Sequence, residues 1–149
     1  MLIDQFTAPS PPVEGSQPAP HVLVVDDECI LALALKACLG RSGYRVSTAG
    51  DGVRALEIAA LDPVDVLVTD LRMPRMGGAE LVQRFQALSP GVPVVVLTGY
   101  PPDAAAIVAR GEVPLTVLDK PADPLRVHQV LTRLLSAGLA AAPGNRLPI

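Results

Sequence analysis

Four short runs in this chain are apolar throughout rather than alternating in polarity, and they constrain its fold more than any other feature. Strands that bury one face alternate, whereas continuous apolar runs are typical of strands covered by helices on both faces of a parallel sheet. A further run, YRVSTAG at 44–50, alternates and is predicted to be a less buried edge strand. The four continuous runs are HVLVVD (21–26), VDVLVTD (64–70), VPVVVLTG (92–99) and PLTVLDK (114–120).

Segments with helical spacing separate and follow these runs. Gly40, Gly43 and Gly138 fall where helix C-terminal caps are expected. Five strands alternating with five helices predict right-handed βαβ units. The predicted fold is therefore α/β, a doubly wound five-stranded parallel sheet of flavodoxin-like order 2-1-3-4-5. The predicted helices cover 28–40, 51–60, 77–88, the alanine-rich 102–110, and 122–137.

The beginning of the chain differs in composition from the rest. Residues 7–20, TAPSPPVEGSQPAP, contain too little apolar surface to offset the entropy of ordering. The remaining length suits one compact domain. We expect a flexible arm at 1–20, a domain at 21–137, and a tail at 138–149 that is too short for a DNA-binding or enzymatic output domain.

Charge and composition argue against several partners and compartments. The formal net charge is -3, so there is no basic excess for binding a nucleic acid backbone. Residues 1–20 contain no Lys or Arg and no long apolar stretch, and no later stretch is long enough to span a bilayer. Cys29 and Cys38 are expected to be buried, reduced thiols. These features predict a cytoplasmic protein that contacts neither nucleic acid nor membrane.

Polar residues collect where the predicted strands end, the edge at which open α/β sheets bind ligands. The first strand ends in Asp26 and Asp27, the third in Asp70, the fourth in Thr98 and the fifth in Lys120. Carboxylate oxygens are ligands that Mg²⁺ prefers, and phosphate oxygens often complete such sites. Singly, each residue could be a helix cap, a strand residue or a solvated charge. Their joint position at one end of apolar strands favours a site that handles phosphoryl groups, with Asp70 as nucleophile.

Four segments give the chain its resemblance to the receiver domain of two-component response regulators. The resemblance runs from His21 to Ala137, with the segments in the same order and spacing. It implies the flavodoxin-like fold predicted above. The segments are VLVVDDE (22–28), VTDLRMPRMGG (68–78), VVVLTGY (94–100) and VLDKP (117–121).

The resemblance also implies a role for each residue of the site. Asp70 would be the phosphoacceptor, and Thr98 and Lys120 would bond the phosphoryl oxygens. The implied ligands of Mg²⁺ are Asp26, Asp27, Asp70 and the backbone carbonyl of Arg72.

The resemblance and the short tail together predict a single-domain response regulator that signals by phosphorylation-dependent protein binding. The expected donor is a histidine kinase or histidine phosphotransfer protein, and the downstream protein target is not indicated. Apart from promoting its own phosphorylation and dephosphorylation, the protein is not expected to be an enzyme. The alternative is a pseudo-receiver or scaffold that modulates a partner kinase without being phosphorylated. Val117 departs from the family pattern. Many family members have a Tyr or Phe at this position, and its ring changes rotamer on activation.

Three other classes fit the sequence less well. A kinase would need a glycine-rich nucleotide loop, and neither His21 nor His128 lies in a phosphotransfer motif. Aspartate-nucleophile phosphatases usually have a second Asp two residues after the first, where this chain has Arg72. A flavin carrier would need a hydroxyl-rich and glycine-rich phosphate loop after the first strand and aromatic side chains for stacking, but aromatic residues are 3% of the chain.

Overall fold

A parallel sheet with helices on both faces forms the core of the computed structural model, which describes residues 18–110 and 115–141. The predicted arm at 1–20 lies largely outside this range, as do residues 142–149 of the predicted tail. The strands are β1 (His21–Val25), β2 (Arg45–Ala49), β3 (Val66–Asp70), β4 (Val94–Thr98) and β5 (Leu115–Asp119). The α-helices are α1 (Cys29–Arg41), α2 (Gly52–Leu61), α3 (Gly78–Leu88), α4 (Ala105–Arg110) and α5 (Pro124–Ala141).

The strand order confirms the predicted doubly wound topology. All strand pairs are parallel, and the order is β2-β1-β3-β4-β5. A 3-10 turn at Pro101–Ala104 leads into α4, so the helical segment expected at 102–110 begins as a tighter turn. Among the described residues, no helix has both the length and the apolar content needed to cross a membrane.

Successive side chains of a strand point to opposite faces, which divides the core into two layers. On one face Val22 and Val24 belong to the same apolar cluster as Leu35 of α1 and Leu131 of α5. On the other face Leu23 packs in a cluster with residues of α2, α3 and α4. This two-sided burial is the physical reason why β1, β3 and β4 are mostly apolar, with polar residues at their ends.

The two edge strands are less covered than the three central ones. The alternating run at 44–50 forms β2, whose middle residues are half-buried, as expected for an edge. The run at 114–120 was expected to be covered on both faces, but Leu115, Thr116 and Val117 of β5 are half-buried. In this respect the prediction was wrong, because β5 has β4 as its neighbour on one side only.

Of the three glycines expected to cap helices, one does so. Gly43 has φ of 97° and follows α1, where N–H groups of Gly43 and Tyr44 bond the carbonyls of Gly40 and Leu39. This pattern is a Schellman motif, which requires a left-handed residue. Gly40 and Gly138 instead lie inside α1 and α5, and α5 continues to Ala141, past the domain end expected at 137.

The expected burial of both cysteines was wrong. Cys29 is exposed and Cys38 is half-buried, because neither lies on the face of α1 that packs against the sheet.

Candidate functional site

Asp70 is the last residue of β3 and lies almost buried at the carboxyl edge of the sheet. Its Oδ1 accepts hydrogen bonds from the backbone N–H groups of Leu71, at 2.7 Å, and Arg72, at 3.4 Å. The loop then folds back, and the N–H of Gly78 bonds the carbonyl of Leu71 at 2.8 Å. Gly78 is required here because a Cβ at this position would overlap the carbonyl oxygen of Asp70.

The carboxylates of Asp26 and Asp27 meet Asp70 at this edge. One oxygen of each of the three side chains lies within 4.8 Å of the others. Asp27 is exposed, whereas Asp26 is 3% exposed and its Oδ1 accepts from the N–H of Glu28 at 2.9 Å. Burial raises the pKa of Asp26, although the hydrogen bond from Glu28 and the charge of Lys120 oppose this.

Lys120 places an ammonium group among these carboxylates. Its Nζ lies 3.1 Å from Oδ2 of Asp70, 3.2 Å from Oδ2 of Asp26 and 3.4 Å from Oε1 of Glu28. Burial by itself would lower the pKa of Lys120, but the hydrogen bond to Asp70 and the charges of Asp26 and Asp70 raise it to about 12. Lys120 is therefore a fixed positive charge at neutral pH.

Thr98 ends β4 beside the same pocket. Its Oγ1 donates to the carbonyl of Tyr100 and accepts from the N–H of Tyr100, both at 3.1 Å. The hydroxyl is thus held by its own loop rather than by Asp70. A cavity of about 320 Å³ opens here, lined by Asp70, Arg72, Thr98, Gly99, Tyr100 and Lys120.

Sequence reasoning missed the side chain of Arg72. Its Nε donates to Oδ2 of Asp103 at 2.8 Å, and its guanidinium lies 6.0 Å from the ring centre of Tyr100. The resemblance implies a role for the backbone carbonyl of Arg72 alone, and Asp103 lies inside a predicted helix. No local sequence signal connects these residues, which are 31 positions apart.

The donor set at this edge fits a magnesium ion. Three carboxylates supply hard oxygen atoms, as Mg²⁺ requires. Among the described residues, Oδ2 of Asp26 is the one buried side-chain nitrogen or oxygen that has no hydrogen-bond partner. Lys120 lies 3.2 Å from this oxygen, within ion-pairing distance. A metal ion that binds the oxygen would therefore replace its ion pair with Lys120.

Comparison with known proteins shows the family to which this chain belongs. Residues 22–132 match the family model of the response regulator receiver domain. The transcriptional regulatory protein GlrR of Escherichia coli K12 is 36% identical over 123 residues, which are 81% of this chain and 27% of GlrR. A protein-glutamate methylesterase of Anaeromyxobacter dehalogenans is 39% identical over 105 residues, 69% of this chain and 30% of that protein. The chain thus spans less than a third of either relative.

A solved structure extends the comparison to three dimensions. The chemotaxis response regulator CheY4 of Vibrio cholerae superimposes with a TM-score of 0.69 at 33% identity, covering 77% of this chain and 98% of CheY4. The fold, the acidic cluster and the family match are therefore consistent with one another. This chain belongs to the family of response regulator receiver domains of two-component signal transduction systems.

Proposed function

We propose that this protein is a single-domain response regulator that accepts a phosphoryl group on Asp70 and signals by binding another protein when phosphorylated. The observation that carries the proposal is the position of Asp70. It ends a central strand, borders an open cavity, and lies within reach of both Lys120 and two further carboxylates. The donor would be a histidine kinase or a histidine phosphotransfer protein.

In the proposed reaction a carboxylate oxygen of Asp70 bonds to phosphorus while the P–N bond of the donor histidine breaks. The electron pair of that bond returns to the imidazole, and the product is an acyl phosphate on Asp70. Lys120 stabilises the added negative charge, and Thr98 donates a hydrogen bond to a phosphoryl oxygen once it releases Tyr100.

The metal of the proposed site is Mg²⁺, which receiver domains bind at an acidic pocket. When bound it would shield the negative charges of the carboxylates and the phosphoryl group from one another. The residues that would hold it are Asp26, Asp27, Asp70 and the backbone carbonyl of Arg72. The function of these residues, and of Thr98 and Lys120, stays a prediction.

Incubation with acetyl phosphate tests the proposal. With Mg²⁺ present, intact-mass measurement should detect one added phosphoryl group that is labile to base, and Asp70→Asn should abolish it. Asp65→Asn, a matched change at the opposite end of the sheet, should label like wild type. Undiminished labelling of Asp70→Asn would assign the phosphoryl group elsewhere, and an unlabelled wild type would favour the pseudo-receiver alternative.

A further inference from the structure

The loop that follows Asp70 is attached to the first turn of α2 by two contacts. Arg75 of this loop donates from Nε to Oδ2 of Asp51 at 3.0 Å, and its Nη2 contacts the same oxygen. Met76 lies directly on Gly52, where a Cβ would come within 2.7 Å of the Met76 sulfur. The β2–α2 connection therefore supports a loop that is 24 residues away in sequence.

Asp51 is itself held firmly. It is the N-cap residue of α2, it is 9% exposed, and its Oδ1 accepts from the N–H of Arg54 at 2.9 Å. The other carboxylate oxygen of Asp51, Oδ2, accepts the contacts from the Arg75 guanidinium. The hydrogen bond from Arg54 and then the contact with Arg75 lower the pKa of Asp51, so it is ionised at neutral pH.

Arg75 has a backbone conformation that residues other than glycine rarely adopt. Its φ is 67°, and the N–H of Met76 donates to the carbonyl of Pro74 at 2.7 Å, which closes a three-residue turn around Arg75. Such a conformation persists where surrounding contacts impose it. The ion pair with Asp51 and the contact of Met76 with Gly52 are contacts of this kind.

We propose that Asp51 and Arg75 are positioning residues for the metal site. Their ion pair holds loop 71–77 in the conformation in which the backbone carbonyl of Arg72 is available to Mg²⁺ beside Asp70. This inference rests on the proposed function. Neither side chain touches the metal or the phosphoryl group; both act through the loop backbone. A loop that is already ordered loses less conformational entropy when the ion binds.

Two substitutions should break the ion pair while keeping the fold. Asp51→Asn keeps an oxygen that caps α2, because Asn is as good an N-cap as Asp. Arg75→Gln keeps the stem of the side chain. Each should weaken Mg²⁺ binding about tenfold, the lower end of the effect of residues that support metal ligands. Amide shifts of Gly77 and Gly78 in an NMR titration with MgCl₂ measure this affinity without any phosphoryl donor.

The signs of the two changes separate positioning from simple electrostatics. Arg75→Gln removes a positive charge and would strengthen Mg²⁺ binding by charge alone, whereas Asp51→Asn would weaken it. Positioning predicts weaker binding in both, and no further loss in the double variant, since the two residues act as one unit. Arg84→Gln removes an equivalent exposed cation in α3 and should bind Mg²⁺ like wild type.

Phosphorylation supplies the second measurement. At saturating Mg²⁺ the labelling rate of both variants should return to within about twofold of wild type. Arg75→Lys should keep only part of the affinity, because lysine keeps the charge but loses the two guanidinium donors that contact Asp51. The positioning role would be overturned if either Asp51→Asn or Arg75→Gln left the Mg²⁺ affinity unchanged, or if the two variants changed it in opposite directions. The proposed function would still stand in that case. A wild-type protein that binds no Mg²⁺ would overturn both.

Discussion

The ammonium nitrogen of Lys120 lies 3.1 Å from Oδ2 of Asp70 and donates a hydrogen bond to it, across 50 residues of sequence. The same nitrogen is 3.2 Å from Oδ2 of Asp26. Lys120 therefore neutralises carboxylates that would otherwise repel one another. In the metal-free, unphosphorylated protein, Lys120 binds the two carboxylate oxygens that the proposed metal and phosphoryl group would use. Lys120 therefore competes with the metal and with the phosphoryl group for these oxygens.

Replacing Lys120 with Met should lower the stability of the metal-free protein and strengthen its binding of Mg²⁺. We expect a loss of about 2 kcal/mol in the free energy of unfolding in EDTA, less than for a fully buried pair because the site opens to solvent. Urea unfolding with EDTA and with MgCl₂ measures both effects, and Mg²⁺ should recover the loss. Lys36→Met, at the exposed second lysine, should change stability by less than about 0.5 kcal/mol. A Lys120→Met protein as stable as wild type in EDTA would contradict this.

Asp27 should matter for the metal and not for the fold. Its exposed carboxylate lies near those of Asp26 and Asp70, and like charges at such distances destabilise the metal-free protein. Asp27→Ala should therefore keep or raise the melting temperature while weakening Mg²⁺ binding by at least about tenfold and abolishing Mg²⁺-dependent phosphorylation. Calorimetric titration and scanning calorimetry measure these quantities. Unaltered Mg²⁺ affinity would show that the metal assignment is wrong.

The lowered pKa of Asp51 predicts a pH dependence of stability. A carboxyl group whose pKa is lower in the folded state stabilises the protein above its unfolded pKa, and this contribution is lost as the pH falls through the folded pKa. Wild type should therefore lose more stability than Asp51→Asn when the pH is lowered from 6 to 3. Urea unfolding at several pH values tests this, and parallel curves for the two proteins would refute it.

Gly78 and Gly40 offer a matched pair of substitutions in helices. Gly78→Ala places a methyl group against the backbone of Asp70 and Leu71 and should cost about 2 kcal/mol or more. Gly40 lies in α1 with open space around it, so Gly40→Ala should stabilise by about 0.5–1 kcal/mol through helix propensity. Chemical unfolding of the two variants measures the change in the free energy of unfolding, which should fall for Gly78→Ala and rise for Gly40→Ala. Equal effects would contradict the packing of Gly78 on Asp70.

Val117 predicts where phosphorylation changes the structure. Its branched side chain has few rotamers and no ring that could move between exposed and buried positions. Phosphorylation would instead draw Thr98 away from Tyr100, and the loop at 98–104 and α4 should respond most. NMR shift mapping with beryllium fluoride as the phosphoryl mimic tests this. Changes centred on β5 without changes at 98–104 would refute it.

The hydrophobic pattern and the strand ends were enough to predict the sheet and which side chains meet at its carboxyl edge. Continuous apolar runs are required wherever helices cover both faces, and parallel strands bring their carboxyl ends to one edge. The strand ends therefore bring together Asp26, Asp70, Thr98 and Lys120. The match of residues 22–132 to the receiver family confirms the predicted fold. What each residue does there stays a prediction.

The tertiary structure alone decided how the loops around this edge are held. The pairs Arg72 with Asp103 and Arg75 with Asp51 each join segments that are far apart in sequence, and nothing in either segment alone indicates its partner. Which charges pair depends on loop dihedral angles such as the positive φ of Arg75, for which a non-glycine residue offers no local signal. Hydrophobic periodicity determines which strands are buried, whereas side-chain pairing across loops exists only after the strands have packed.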